Sequence, residues 1–294
     1  MTLPNLPPIR RTVRLIVFLS VVGVTTLGWL GWWIGATSRV NPSVTTGKAA
    51  SHLPPQEEPA HAYSLHYKFD RTVFYSDRGR YENTPRDRVR KWDGPVDVVI
   101  AGSASGNYKE FAQKHLDELS RLTGLEISLT EGPAQRRTNF LVVVDDRKAI
   151  DQVLADMEVP YENRELNSRA TCFALVAPET ERIVAAITAI PSEHPEEIIR
   201  HCILEETTQA LGLYADADMI QPSVFSERTH PSLTELPLND KIIVRTLYDP
   251  RITPGMPREE ALEVAREVIG ELVEGVRRNG VQALYQRPGE SPKP

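Results

Sequence analysis

The sequence predicts an α/β (α+β) domain: a mixed sheet interleaved with helices, then a helical C-terminal part, behind one N-terminal transmembrane helix. Three observations predict this. Short apolar runs that read as strands alternate with stretches of helical apolar spacing between residues 96 and 190. After residue 194 the spacing is helical only. An uncharged run from Leu15 to Ala36 precedes all of it.

That run is 22 residues long, enough to cross a hydrocarbon core of about 30 Å at about 1.5 Å per residue. It exceeds the apolar region of a cleaved signal peptide, and Ile34-Gly35-Ala36 is a poor cleavage site, so it reads as an anchor. Arg10, Arg11 and Arg14 precede it, which puts the N-terminus in the cytoplasm. Trp29, Trp32 and Trp33 mark the far interface. The chain therefore divides into a cytoplasmic N-terminus (1–14), a transmembrane anchor (15–36), a flexible Pro-, Ser- and Thr-rich stalk (37–62), an extracytoplasmic domain (63–280) and a loose tail (281–294). A net charge of −6 gives no basic footprint, so nucleic acid is not an expected partner. The partners expected are the membrane, through the N-terminal helix, and a peptide or cell-envelope ligand.

Within the domain, Asp77–Arg90 is polar enough to be a loop. Val96–Ile100 is a short strand, followed by the Gly102–Gly106 turn and a helix over 108–122, with Phe111, His115, Leu119 and Leu122 at helical spacing. The turn lacks the Lys-Ser/Thr ending of a P-loop and reads as structural. Strands are expected over 125–130 and 139–144, with Asp145 capping a helix that ends before Pro160. Cys172–Ala177 and Arg182–Ile190 form a strand pair around a Pro178-Glu179-Thr180 turn. Pro195 opens a helix that Gly212 stops. Asn239 or Asp240 caps the next helix, which ends before Asp249-Pro250, and Pro257 opens a last one that closes at Asn279-Gly280.

The helix from Pro195 carries the chemistry. Residues 205–213 read E-E-x-x-Q-x-L-G-L, the spacing of the zinc-peptidase motifs H-E-x-x-H and H-E-x-x-H-x-x-G without their histidines. Ile199, Cys202, Glu206, Gln209 and Leu213 share one face, which puts the Glu206 carboxylate in a largely apolar stripe. Such a carboxylate must find a partner, face a cleft or hold a proton. Glu206 is accordingly the candidate general base or acid on a water, against the alternative of a buried structural Glu. Glu205 and Gln209 stand one turn apart, as two metal ligands would, with Asp216 close behind. Oxygen donors suit a hard divalent cation better than zinc. His201, Asp218 and His230 are lesser candidates for the same centre. The two cysteines, Cys172 and Cys202, fit a disulfide in an exported domain; two buried thiols are the alternative.

The run Ile199–Leu213, together with Asp216, Pro222-Ser223-Val224-Phe225, Asp240, Leu247-Tyr248-Asp249-Pro250-Arg251 and Gly255-Met256, resembles the bacterial domain-of-unknown-function family 2927 over roughly Tyr67 to Val273. The resemblance implies a zincin-like domain, exported, with Glu206 at the base position, Glu205 and Gln209 at the two helix-ligand positions and Asp216 near the third. It also likens Met256 to the methionine turn beneath some zincin sites. The function expected is that of a membrane-anchored extracytoplasmic, metallopeptidase-like domain with altered metal ligands; the alternative is a catalytically inactive pseudo-enzyme that binds a peptide or envelope component.

Overall fold

Residues 58–76, 83–130, 138–226 and 233–286 are described by the computed structural model. The expected cytoplasmic N-terminus, anchor and most of the stalk lie outside these residues, as does His230. Among the described residues no helix is long and apolar enough to cross a membrane.

Five strands make one mixed sheet: β1 (Val96–Ala101), β2 (Ile127–Leu129), β3 (Phe140–Asp145), β4 (Phe173–Glu179) and β5 (Arg182–Pro191), in the spatial order β2-β1-β3-β5-β4. All neighbours are parallel except β4, which runs antiparallel to β5 and forms an edge. Phe140 to Val144 are all buried, as befits a central strand covered on both faces. Their alternation assigns the faces. Phe140, Val142 and Val144 enter the main core, whereas Leu141 and Val143 join a smaller cluster with Ile150, Val153 and Leu154.

Helices α1 (Ala62–Phe74), α2 (Lys109–Thr123), α5 (Glu196–Gln209), α6 (Leu238–Leu247) and α7 (Arg258–Asn279) contribute buried side chains to the main core. The smaller cluster is covered by α3 (Arg147–Asp156), followed by the short α4 (Tyr161–Asn167). Both α4 and α1 escape the sequence reading. In α1, Leu65, Phe69 and Val73 recur at helical spacing, but the fully buried Lys68 beside them breaks the apolar pattern.

Other boundaries shift for identifiable reasons. Asp145 is not the cap of α3, because β3 continues through it to pair with Pro191; Asp146 caps instead, accepting from the Ala149 amide at 2.8 Å. The β4–β5 turn is formed by Thr180 and Glu181, both with positive φ (48° and 66°), because the pairing runs on to Glu179. Neither Asn239 nor Asp240 is a cap: Pro237 holds that place, and both side chains are buried within the first turn of α6. The tail begins later than residue 281, since Val281–Tyr285 form a 3-10 turn that buries Leu284, and the Tyr285 hydroxyl donates to Glu118. The Gly102–Gly106 turn is structural. Ser103 spends its amide and hydroxyl on Asp145, Ala104 donates to Val144 O, and a Cβ on Gly102 would lie 2.2 Å from that oxygen.

Candidate functional site: the carboxylate face of helix α5

Helix α5 leaves β5 through a short turn and packs on β4 and β5. Pro195 sets its entry, and Glu196 and Glu197 in the first turn complement the helix dipole. Its apolar side, with Ile199, Cys202, Ile203 and Leu204, is buried in the main core. Each fully buried aliphatic side chain there is worth about 1.5–3 kcal/mol.

The C-terminal end of α5 is clamped. Trp92 Nε1 donates to Ala210 O at 3.0 Å, and the Tyr248 hydroxyl donates to Leu211 O at 2.7 Å while accepting from the Trp92 amide at 3.2 Å. Two otherwise unpaired helix carbonyls are satisfied in this way. Gly212 then turns the chain with φ of +112°, and a Cβ there would stand 2.4 Å from Arg90 O. On the buried side, His115 Nε2 lies 3.1 Å from Thr208 Oγ1. Burial pushes the His115 pKa down to about 4, against the opposing pull of Glu118. Thr208 Oγ1 donates in turn to Leu204 O at 2.6 Å, so it accepts from the His115 ring N–H.

The segment after Gly212 is held as firmly. Tyr214 N donates to Thr72 O at 2.6 Å and Ala217 N to Phe225 O at 2.7 Å. Beneath it lies a buried ion pair, Lys68 Nζ to Asp240 Oδ1 at 2.5 Å, with both side chains fully inaccessible. Lys68 also donates to Ser223 Oγ at 2.6 Å, Ser223 donates to Asp240 at 2.9 Å, and the Val224 amide donates to Asp240 Oδ2 at 2.7 Å. With Phe225 N donating to Ser223 Oγ as well, this serine is fully engaged and closed to solvent; it is a strut, not a nucleophile. Lys91 has a comparable task. Its ammonium donates to Leu247 O at 2.8 Å and Ile252 O at 2.6 Å, and burial lowers its pKa to about 8 despite nearby Asp249. Met256 packs against the main core and accepts from the Val89 amide at 2.9 Å, which accounts for it as a packing residue.

The side of α5 that meets the disulfide is different in kind. Glu206 is only 6% exposed, and the Glu205 side chain only 16%. Cys172, just before β4, and Cys202 form a disulfide with Cα atoms 6.0 Å apart, which brings β4 onto the helix. One donor atom from each of Cys172, Glu205 and Glu206 lies within 4.8 Å of the others. His201 Nε2 stands 3.6 Å from Glu205 Oε2, and its buried Nδ1 has no hydrogen-bond partner. Burial lowers the His201 pKa, with Asp240 opposing, so at neutral pH the ring is uncharged and the contact with Glu205 is not an ion pair. Gln209 Nε2 donates to Asp216 Oδ1 at 3.2 Å.

The candidate residues therefore fall into two adjoining pairs. Glu205 and Glu206 gather at the disulfide, and Gln209 with Asp216 lies one turn on. Asp216 does not belong to the cluster of metal-capable side chains, and Asp218 is engaged by Ser226 at 2.5 Å. The donors do not fit the zinc of an H-E-x-x-H centre. Neither motif-ligand position offers an imidazole nitrogen, the Gln209 amide is oriented as a donor to Asp216, and the nearby sulfur is held in a disulfide.

The roles of Trp92, Lys68 and Tyr248 escaped the sequence reading, although Tyr248 and Asp240 lie within the family-like runs that could have flagged them. A surface cleft of about 770 Å³ on the outer side of α2 is lined by His115, Glu118, Arg121 and Leu236, and shares none of the four motif carboxylate and amide residues. Its lining mixes both signs of charge, so the α5 carboxylates are the better candidate on chemical grounds.

Comparison with curated proteins gave no match. The model of the family described as "Protein of unknown function (DUF2927)" matches residues 63–267, a span that takes in the sheet, α5 with Glu205, Glu206 and Gln209, the following Asp216, and the clamp that closes the helix. The chain belongs to the DUF2927 family.

Proposed function

We propose that this chain is a membrane-anchored, extracytoplasmic domain of zincin-like layout that binds an extended peptide along β4, next to the carboxylates of α5. The observation that carries the reading is the position of β4. It is an edge strand, half-buried along Phe173–Pro178, and among the described residues its backbone hydrogen-bonds only to β5. An edge of this kind offers main-chain donors and acceptors to an incoming strand. The disulfide brings that edge to Glu205 and Glu206, so a peptide added to β4 would pass the α5 carboxylates.

Export is supported by the disulfide, which suits an oxidising compartment, and by the uncharged run Leu15–Ala36 behind three arginines. The zincin-like layout is supported by a motif helix that directly follows the last strand of a mixed sheet, with Glu206 at the general-base position of the spacing.

A second reading, hydrolysis by Glu206, is favoured by one feature: its carboxylate is almost buried beside a second carboxylate, an environment in which acids and bases are tuned. Both readings are tested by amide exchange and peptide turnover on the full-length chain with mixed extended peptides. Binding should slow exchange along Phe173–Glu179 in the wild type. Turnover that disappears in Glu206→Gln would establish hydrolysis, whereas slowed exchange without turnover leaves a binding domain. Unchanged exchange at every peptide concentration would remove the peptide reading altogether.

A further inference from the structure

We infer that the Cys172–Cys202 disulfide masks a metal ligand, and that its reduction creates a zinc site from the Cys172 thiolate, Glu205 and Glu206. The argument begins with the donors. Among the described residues, the one group of three metal-capable side chains with mutually close donor atoms is this one, and its atoms lie within 4.8 Å of one another. Donors at about 2.0–2.3 Å from one tetrahedral zinc stand about 3.3–3.8 Å apart, so side-chain rotations that draw these atoms together by about 1 Å close the set. The donors come from two elements, the chain just before β4 and helix α5, which the fold already holds together.

The oxidation state decides the chemistry. In the disulfide, the Cys172 sulfur carries no charge and is a poor ligand, which leaves two carboxylate oxygens that do not select zinc. A dithiol reductant changes that. The Cys172–Cys202 S–S bond breaks, the dithiol closes to its own disulfide, and its two electrons and two protons leave a thiol on each cysteine. The Cys172 thiol then loses its proton to solvent as zinc binds. A thiolate with two carboxylates is a soft and hard mixture that zinc accepts, with a fourth position left to water or to an incoming ligand. Cys202 is not part of the group; it lies 1% exposed within the core, so it acts as the lock on Cys172. This site is independent of peptide binding, because zinc stoichiometry reads the donors whether or not β4 accepts a strand.

Two variants separate the sulfurs. Cys202→Ser and Cys172→Ser remove the same disulfide, but only Cys202→Ser leaves a thiol at position 172. Full-length variants are dialysed against buffered zinc and their bound metal is counted by mass spectrometry. Cys202→Ser should take up one zinc per chain without any reductant. Cys172→Ser, and Cys202→Ser combined with Glu206→Gln, should each bind at least about tenfold more weakly. Equal uptake by the two single variants, or uptake by neither, overturns the site. Should Cys202→Ser lose its native circular dichroism, the wild type is compared before and after a water-soluble phosphine, which opens the disulfide and becomes phosphine oxide. Zinc gained on reduction by the wild type but not by Glu205→Gln/Glu206→Gln supports the site, and gain by both or by neither removes it.

Discussion

The two sides of helix α5 have been given opposite treatment. At its buried back and C-terminal end, Thr208, Ala210 and Leu211 all meet designated partners, and Gly212 fits against Arg90 with no room to spare. At its front, Glu205 and Glu206 crowd a disulfide, His201 keeps a buried nitrogen without a partner, and Gln209 shares its amide with Asp216. The first side looks like stability and the second like function, because charges crowded at the edge of a core cost free energy that apolar residues of similar volume would not. If that division is right, changes at the back should cost folding and leave the front's chemistry intact, and changes at the front should do the reverse.

The largest effect is expected from the strut below the helix. Lys68→Met leaves Asp240 buried without its counter-ion, and breaking a buried pair from one side costs about 3–5 kcal/mol. Measured by urea denaturation, that would consume a large part of a typical domain's stability. A loss under about 1 kcal/mol would mean that Ser223 and the Val224 amide suffice for Asp240, and the loop carrying Asp216 would need another anchor.

Next comes pH. His115 is fully neutral in the fold, with its pKa lowered from 6.5 to about 4 by burial. Above 6.5 neither folded nor unfolded chain protonates it, and its contribution is whole. As pH falls from 6.5 towards about 4 the unfolded chain takes up a proton that the folded chain refuses, so stability drops, by up to about 3 kcal/mol in total. Carboxylates titrate in the same window, so the informative quantity is the difference from His115→Gln, whose stability curve should be flatter. Parallel curves would show that His115 is protonated in place and that the back of α5 is less dry than its packing suggests.

Gly212→Ala follows at about 2 kcal/mol or somewhat more, from positive-φ strain and the 2.4 Å approach to Arg90 O. Thermal unfolding should register it, and peptide-dependent exchange in β4 should survive. A variant that is stable but no longer binds would break the proposed division, because it would make the clamp a part of the site.

How much of this was legible in the sequence depends on which side of α5 is asked about. The helix itself, its proline start and its glycine stop could be read because caps and apolar spacing are local signals. The front was legible too, since Glu205, Glu206 and Gln209 carry a known spacing, and the cysteines were few enough to pair. The back was not. Trp92 and Lys91 meet their carbonyls across separations of more than a hundred residues, and Tyr248 across 37, which no local period reveals. Lys68 hid α1 for a related reason: a charge at a core position is sensible only once Asp240 is placed against it. Asn239 and Asp240 both suggest a cap in the sequence, because a short polar residue near a helix start usually is one. Here the first turn is buried, and the Asp240 carboxylate is turned away to serve a neighbouring segment.

The smallest expected change in stability is at the front. Glu206→Gln replaces an almost buried carboxylate by an amide of similar shape, which removes charge desolvation and leaves hydrogen-bonding capacity behind. Stability should stay within about 1 kcal/mol of wild type, because the amide keeps the shape of the carboxylate and can still accept hydrogen bonds. A loss of several kcal/mol would assign Glu206 to the scaffold with Lys68 and Asp240. A near-neutral melt combined with lost turnover or lost zinc in the Cys202→Ser background would instead mark Glu206 as a residue kept for chemistry, since nothing in the fold would then require a charge at that position.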